Sequence, residues 1–211
     1  MLVKRLIEHF DSYTTLPVDV NDVRDQLIER GVQDEIEFHF VSMDVSKIRG
    51  ILRRYTKHSA PYSDPKFHSD ILIARDMGEE DEAWKRLVAV KEILHISDSD
   101  KLSAQSAVAV DHLFQNFSLP PEIRTVNIAN GQTKQSFFND HITIYFAMAI
   151  LIPQKCRKAL RKLHTDQIYS PREIASIAKI PLRYIPLILG SDFDRAIAAF
   201  LDWEANIETA K

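Results

Sequence analysis

The spacing of apolar and polar residues near the start of the chain predicts two helices and then a strand. Apolar residues recur at helical spacing from Leu2 to Tyr13. Pro17 opens a second helix, and Gly31 stands where that helix is expected to end. From Glu35 to Val41 polar and apolar residues alternate, which is typical of a strand with one buried face.

The next segment predicts more extended chain and then a long helix. Residues Val45 to Tyr55 fit either a second strand or a short helix followed by a strand. Two prolines between Thr56 and His68 indicate a loop, and Asp70 to Ala74 has the composition of a short buried strand. From Glu79 to Ile96 the apolar positions return to helical spacing.

Further helices are predicted in the second half of the chain. One runs from about Ser103 to Phe117. Another is strongly apolar: Asn139 or Asp140 can cap its start, and it continues through Leu151 until Pro153 ends it.

The C-terminal region contains a clear helix start. Ser170-Pro171-Arg172-Glu173 is a capping box with proline at the first helical position. Two short helices follow, separated by Pro181 and Pro186, and a last helix covers Asp192 to Glu204.

Strands early in the chain and helices late indicate an α+β fold that is mainly helical, with a small N-terminal sheet. We place a domain boundary after residue 153, which gives an N-terminal domain of residues 1–153 and a C-terminal helical region of residues 154–211. A basic run opens that region: Lys155, Arg157, Lys158, Arg161 and Lys162. Such a run is most often a solvated helix face, and the alternative is the docking of an acidic partner.

Composition and charge narrow the class of protein. The chain has 211 residues, 45% hydrophobic and 27% charged, which suffices for one good core or two small ones. Its net charge of −3 argues against a polyanion-binding surface over the whole chain. The single cysteine, Cys156, excludes an intrachain disulfide and fits a reducing cytosol. Because no apolar run is long enough for a membrane span, and Glu8 and His9 interrupt any signal sequence, we expect a cytoplasmic protein.

One short stretch carries the candidate chemistry. Lys91-Glu92-Ile93-Leu94-His95 differs by one residue from the zinc-peptidase signature H-E-x-x-H, in which two histidines hold the metal and the glutamate activates water. Lysine does not serve as the first ligand at neutral pH, because its ammonium has three donors and no lone pair. The spacing from Glu92 to His95 is also common by chance, so the alternative is a solvated helix face with a hydrogen-bonded histidine.

The order of elements around this stretch resembles that of the ImmA/IrrE family of metallo-endopeptidases. A helix, a small strand pair and a buried strand precede Trp84 to His95, as such elements precede the "R-F-x-x-A-H-E-x-x-H" helix of the family. Tyr145 to Pro153 is similar to the family's later helix, which ends in "F-A-x-x-L-L-M-P". Ser170 to Leu189 resembles the helix pair that often follows, so the resemblance covers residues 18 to 190.

The resemblance implies a zincin-like helical core and regulatory proteolysis, with a repressor as the protein that is cleaved or destabilised. It assigns catalysis to Glu92 and one zinc ligand to His95. Lys91 stands where the first histidine ligand belongs, and the third ligand is expected near the start of the later helix, where Asp140 and His141 are adjacent. A lysine ammonium at position 91 can instead replace the missing cation by pairing with Asp140 and Glu92.

Three functional hypotheses follow. The first is an active zinc endopeptidase, and the second, which fits the residues best, is a relative without zinc that binds a repressor-like or other regulatory protein. The third is a DNA-binding regulator, in which Arg172, Lys179 and Arg183 contact phosphates from a helix-turn-helix. Pro186 argues against the third, because it falls within the helix that would read the DNA. The oligomeric state is left open.

Overall fold

The computed structural model describes residues 2–58, 64–97 and 134–209, with side chains described outside residues 134–141 and 203–209. The helices of this part are α1 (Leu2–Phe10), α2 (Val20–Glu29), α3 (Asp81–His95), α4 (Lys134–Leu151), α5 (Gln154–Thr165), α6 (Pro171–Ala178), α7 (Ile185–Leu189) and α8 (Ser191–Thr209). The strands are β1 (Glu35–Val41), β2 (Gly50–His58) and β3 (Pro65–Ala74), and a 3-10 turn covers Leu182–Tyr184. The predicted α+β class, mainly helical with a small sheet near the N-terminus, is confirmed.

The segment predicted as a loop between the second and third strands is largely strand. β2 continues to His58 and β3 begins at Pro65, so that the two strands pair antiparallel from Gly50 opposite Ile73 to His58 opposite Pro65. Pro65 is tolerated because it lies at the first position of its strand. Pro65 therefore begins a strand, whereas Pro61 lies outside the described residues.

Helix α4 begins earlier than its capping residues predict. Its backbone is helical from Lys134, so neither Asn139 nor Asp140 is the cap. A capping side chain accepts hydrogen bonds from the unpaired backbone N–H groups at the start of a helix. Residues 139 and 140 lie inside α4, where the following N–H groups are paired within the helix. The helix predicted from Ser103 to Phe117 lies outside the described residues.

Strand β3 is the central strand of a sheet with the order β1-β3-β2. It runs parallel to β1 and antiparallel to β2. Its second half is the most apolar part of the sheet, where Ile71, Ile73 and Ala74 are buried. Consecutive strands β1 and β2 are therefore not neighbours, although both lie beside β3.

A buried carboxylate ties the start of β1 to the other two strands. Arg54 of β2 donates to both carboxylate oxygens of Asp34, with Nε–Oδ2 and Nη2–Oδ1 distances of 2.7 Å each. Ser69 Oγ of β3 donates to Asp34 Oδ2 at 2.7 Å. Because Asp34 and Ser69 are both buried, these bonds satisfy polar groups that would otherwise be costly to bury.

Helix α4 lies at the centre of the helical layer and packs against α1, α3 and α8. Its described side chains, from Ile142 to Leu151, are buried or half-buried, as expected of a helix that is covered by others. Tyr145 stacks on Phe193 of α8 with the ring centroids 5.6 Å apart, and its ring edge meets Phe200 at 5.3 Å. The core therefore continues from the sheet through α3 and α4 into the C-terminal helix.

Polar contacts cross the point where we predicted a domain boundary. Gln154 N donates to Asp11 Oδ1 at 2.9 Å, which connects the start of α5 to the end of α1. Arg157 Nη1 donates to the carbonyl oxygens of Ala149 and Ile152 at 3.0 and 2.6 Å, and so satisfies the last turn of α4. The division at residue 153 stays a prediction, and the two regions share these bonds.

The basic run of α5 separates into an internal part and an exposed part. Arg157 is buried, and Arg161 donates to the carbonyl oxygens that end α7. Three members of the run are exposed: Lys155, Lys158 and Lys162. The prediction of a solvated face therefore holds for the lysines, whereas the two arginines stabilise the fold.

Within the described segments, each helix is too short or too polar to cross a membrane.

Candidate functional site

Helix α3 carries Lys91-Glu92-Ile93-Leu94-His95, the stretch that differs from H-E-x-x-H at its first residue. Acidic residues in its first turn favour a helix start, and Asp81 Oδ1 accepts a hydrogen bond from Met77 N at 2.9 Å. The helix buries a broad apolar surface: Ala83, Leu87, Val88, Ala89, Val90, Ile93 and Leu94. Glu92 is buried among them with 4% of its surface exposed, so its charge requires a partner.

Lys91 supplies a cationic partner for Glu92. The distance from Lys91 Nζ to Glu92 Oε1 is 2.9 Å, which is a charge-assisted hydrogen bond. The side chains are 17% and 6% exposed, so the pair is largely shielded from water. The predicted pairing of Lys91 with Glu92 is therefore present, and the glutamate of the motif is held by an ammonium.

The first residue of β2 covers Glu92 from the sheet side. A Cβ atom placed on Gly50 would lie 3.3 Å from both Cγ and Oε1 of Glu92 and 2.3 Å from Cγ1 of Val88. Only glycine leaves room for β2 to approach α3 this closely. The absence of a side chain at Gly50 thus allows the β2 backbone to cover Glu92 of the Lys91–Glu92 pair.

The remaining predicted ligands lie on two helices that pack together. His95 follows Lys91 by one helical turn and is half-buried. Asp140 and His141 lie within α4, which packs against α3. Their side chains are outside the described residues, so the predicted ligand set of His95, Asp140 and His141 stays a prediction.

The chemistry of the donor set tests whether zinc fits at this motif. A zinc ion in the usual position would lie beside residue 91, which here is an ammonium without a lone pair. That ammonium already neutralises the carboxylate of Glu92 at 2.9 Å. A dication brought to the same carboxylate would be repelled by the lysine. The residues at positions 91 and 92 therefore do not fit zinc held in the H-E-x-x-H manner.

A second group of potential ligands, absent from the sequence analysis, lies on the sheet. Glu37 and His39 of β1 and Asp70 of β3 offer ligand atoms that all lie within 4.8 Å of one another. The alternation of β1 places Glu37 and His39 on one face, and that signal was available from the sequence. The parallel pairing of β1 with β3, which brings Asp70 beside them, could not be predicted from the sequence. This cluster is compatible with a metal ion.

The C-terminal helices contact α3 through the residues considered for DNA binding. Lys179 Nζ donates to Glu82 Oε1 at 2.6 Å, and Leu182 N donates to Glu80 Oε1 at 2.8 Å. The Arg183 guanidinium carbon lies 5.9 Å from the centroid of the Trp84 ring. Two of the three predicted phosphate contacts thus support packing within the molecule.

The helix that would read DNA is also short. Helix α7 has five residues, a length of about 7.5 Å at 1.5 Å per residue. Pro186 lies in its first turn, where its missing N–H is tolerated, so the helix starts there and is not broken.

Cys156 has the environment of an unreactive core residue. It is buried, and its Sγ lies 3.5 Å from the carbonyl oxygen of Tyr13. Burial raises the pKa of the Cys156 thiol, against a smaller opposite effect of the Arg157 charge. The thiolate that nucleophilic chemistry needs is therefore disfavoured.

The chain was compared with known families, curated proteins and solved structures. No protein-family model, curated protein or solved structure matches it. The resemblance to ImmA/IrrE peptidases therefore rests on the residues and the element order given above.

Proposed function

We propose that this protein is a zinc-free relative of the ImmA/IrrE peptidases that acts by binding a repressor-like or other regulatory protein. The observation that carries the proposal is the ion pair between Lys91 and Glu92, with Nζ and Oε1 2.9 Å apart. A helix, a sheet and a following apolar helix in this order support a zincin-like scaffold around that pair.

The ion pair is unsuited to peptide hydrolysis. A general base must reach a water molecule and accept its proton, which requires an accessible carboxylate. Glu92 is buried, is covered by Gly50, and accepts a hydrogen bond from an ammonium. The pair therefore has the properties of a structural contact that neutralises a buried carboxylate in place of a metal.

Apolar side chains on and beside the sheet support a binding function. Phe40, Ile51 and Phe67 lie on the strands and are exposed, and Ile48 is exposed just before β2. The strand register places Phe40 and Phe67 on one face of the sheet and Ile51 on the opposite face, so these residues offer separate apolar contacts to a partner and not one patch. DNA binding through the C-terminal helices is not part of the proposal, since Lys179 is engaged with Glu82.

Metal analysis of matched variants tests the first half of the proposal. The wild type and His95→Ala are purified without added zinc, and their metal content is measured by inorganic mass spectrometry. We expect the same content in both, because the motif holds no ion. Zinc that is present in the wild type and lost in His95→Ala would contradict the proposal.

Affinity purification from the native cell tests the second half. The wild type and Glu92→Gln are used as baits, and the recovered proteins and their new N-termini are identified by mass spectrometry. We expect both baits to recover the same regulatory protein uncleaved. A partner that the wild type cleaves and Glu92→Gln leaves intact would establish the endopeptidase hypothesis instead. A steep loss of DNA affinity with rising salt would favour the DNA-binding hypothesis.

A further inference from the structure

We propose that Glu37, His39 and Asp70 form a zinc site on the face of the sheet that points away from α3. The site is separate from the Lys91–Glu92 pair and goes beyond the proposed function. It consists of one imidazole and two carboxylates on two neighbouring strands.

The register of the sheet brings the three side chains together. Glu37 of β1 pairs directly with Asp70 of β3, and His39 follows Glu37 by two residues on the same face. The neighbours of Asp70 along β3, Ser69 and Ile71, point to the opposite face and are buried there. The backbone of two paired strands therefore holds all three ligands, without help from a loop.

The two distances from the imidazole to the carboxylates match the edges of a zinc polyhedron, and all three ligand atoms lie within 4.8 Å of one another. His39 Nε2 lies 3.5 Å from Glu37 Oε2 and 3.4 Å from Asp70 Oδ1. Ligand atoms about 2.0–2.1 Å from a tetrahedral zinc ion lie about 3.3–3.4 Å from one another. One ion placed between these atoms can therefore reach the imidazole and both carboxylates after small rotations of the side chains.

The types of donor favour zinc over the hard cations. An imidazole nitrogen is a poor ligand for Mg²⁺ and Ca²⁺ and a good one for Zn²⁺. The two carboxylates balance the charge of the ion. Since the side chains of His39 and Glu37 are 42% and 64% exposed, the fourth position is open to water or to a group from a binding partner.

Two neighbouring side chains on the same face affect the site: Tyr55 orients the carboxylate of Asp70, and Arg53 brings a positive charge close to it. Tyr55 Oη lies 3.4 Å from Asp70 Oδ1, and its ring stacks on His68 with the centroids 5.5 Å apart. Such outer hydrogen bonds orient metal ligands. Arg53 pairs with Asp70 in the β2–β3 register, and its guanidinium lies over the Tyr55 ring at 5.3 Å. Its positive charge weakens cation binding, so the affinity is limited by this residue.

Calorimetric titration of the chelator-treated protein with Zn²⁺ tests the site. We expect one equivalent to bind to the wild type, and excess Mg²⁺ not to displace it. His39→Ala is expected to abolish binding. Glu37→Gln and Asp70→Asn, which preserve shape, are expected to do the same, and circular dichroism checks that each variant is folded.

Matched controls separate this site from others. His68 Nδ1 lies 3.5 Å from Glu35 Oε2, a histidine–carboxylate pair one step along the same face; His68→Ala is expected to keep stoichiometric binding. Removing the outer hydrogen bond in Tyr55→Phe should weaken binding about 10-fold, whereas Arg53→Gln should strengthen it.

Three results would overturn the inference. The first is binding by wild type that Glu37→Gln, His39→Ala and Asp70→Asn leave unchanged, which would identify an adventitious ion. The second is a wild-type titration in which no stoichiometric binding of Zn²⁺ is detected. Zinc lost in His95→Ala and retained in His39→Ala would overturn both this inference and the proposed function, whereas the reverse pattern supports both.

Discussion

Gly50 at the start of β2 lies so close to Val88 of α3 that a Cβ on the glycine would be 2.3 Å from Cγ1 of the valine. Val88 is a buried, stiff, β-branched residue and has little freedom to move away. The same Cβ would be 3.3 Å from Glu92 Oε1. The contact therefore sets both the packing of the sheet on the helix and the enclosure of the ion pair.

Gly50→Ala is expected to destabilise the protein by about 1–3 kcal/mol, because the added methyl overpacks the interface between β2 and α3. The measurement is the free energy of unfolding in urea. Val88→Ala in the same chain removes the clashing methyl groups, so the double variant should lose less than the sum of the two single variants. Strictly additive losses would show that the two residues do not clash.

Lys91→Met is expected to lower the free energy of unfolding by about 1–3 kcal/mol, because it removes a cationic partner from the buried Glu92 carboxylate. Adding Glu92→Gln should recover part of this loss, since a neutral amide is less costly to bury. Lys85→Met on the same helix removes the more exposed pair with Asp81, and should cost about 0–1 kcal/mol. Equal effects of the two lysine variants would contradict a special role of Lys91.

Arg157→Met is expected to cost about 1–3 kcal/mol, because it leaves the carbonyl oxygens of Ala149 and Ile152 without their buried donor, while Arg161 remains as a cationic partner of Asp194. Arg157 is 2% exposed, and its Nη2 lies 2.9 Å from Asp194 Oδ1. Lys158→Met is the matched control, since Lys158 is the exposed next residue of the same helix. It should change the stability by less than about 0.5 kcal/mol. The measurement is thermal and urea unfolding of both variants. Equal losses of stability in the two variants would contradict a structural role of Arg157.

His9 is expected to make stability depend on pH. Burial, and then the nearby charge of Arg30, lowers the pKa of His9 from its usual 6.5, and Glu29 opposes this shift. The unfolded chain therefore binds the proton more readily than the folded chain. The contribution of His9 is fully present above pH 6.5 and is lost as the pH falls through the lower pKa of the folded state.

The comparison of wild type with His9→Gln isolates this contribution, because the carboxylates titrate alike in both. Unfolding free energies measured between about pH 7.5 and pH 5 should fall more steeply for the wild type than for the variant. Parallel curves would mean that His9 titrates alike in the folded and unfolded chains.

Local pattern was sufficient for several elements and for one contact. Alternation predicted β1 over Glu35–Val41 with its observed bounds, and the capping box at Ser170 is present with both of its hydrogen bonds. The pairing of Lys91 with Glu92 was predicted as part of a cation replacement that also includes Asp140, whose side chain lies outside the described residues. These features depend on neighbours within one turn or one strand, which is the range over which sequence patterns are informative.

By itself, the sequence determined the α+β class, the helix that carries Lys91, and that an ammonium without a lone pair stands at position 91. Only the tertiary structure decided which strands are neighbours, that Gly50 covers Glu92, and that Asp70 joins Glu37 and His39. Such relations depend on the register between segments far apart in the chain. Each segment can satisfy its own hydrogen bonds and apolar periodicity in more than one arrangement, and only the packing of all of them together selects one.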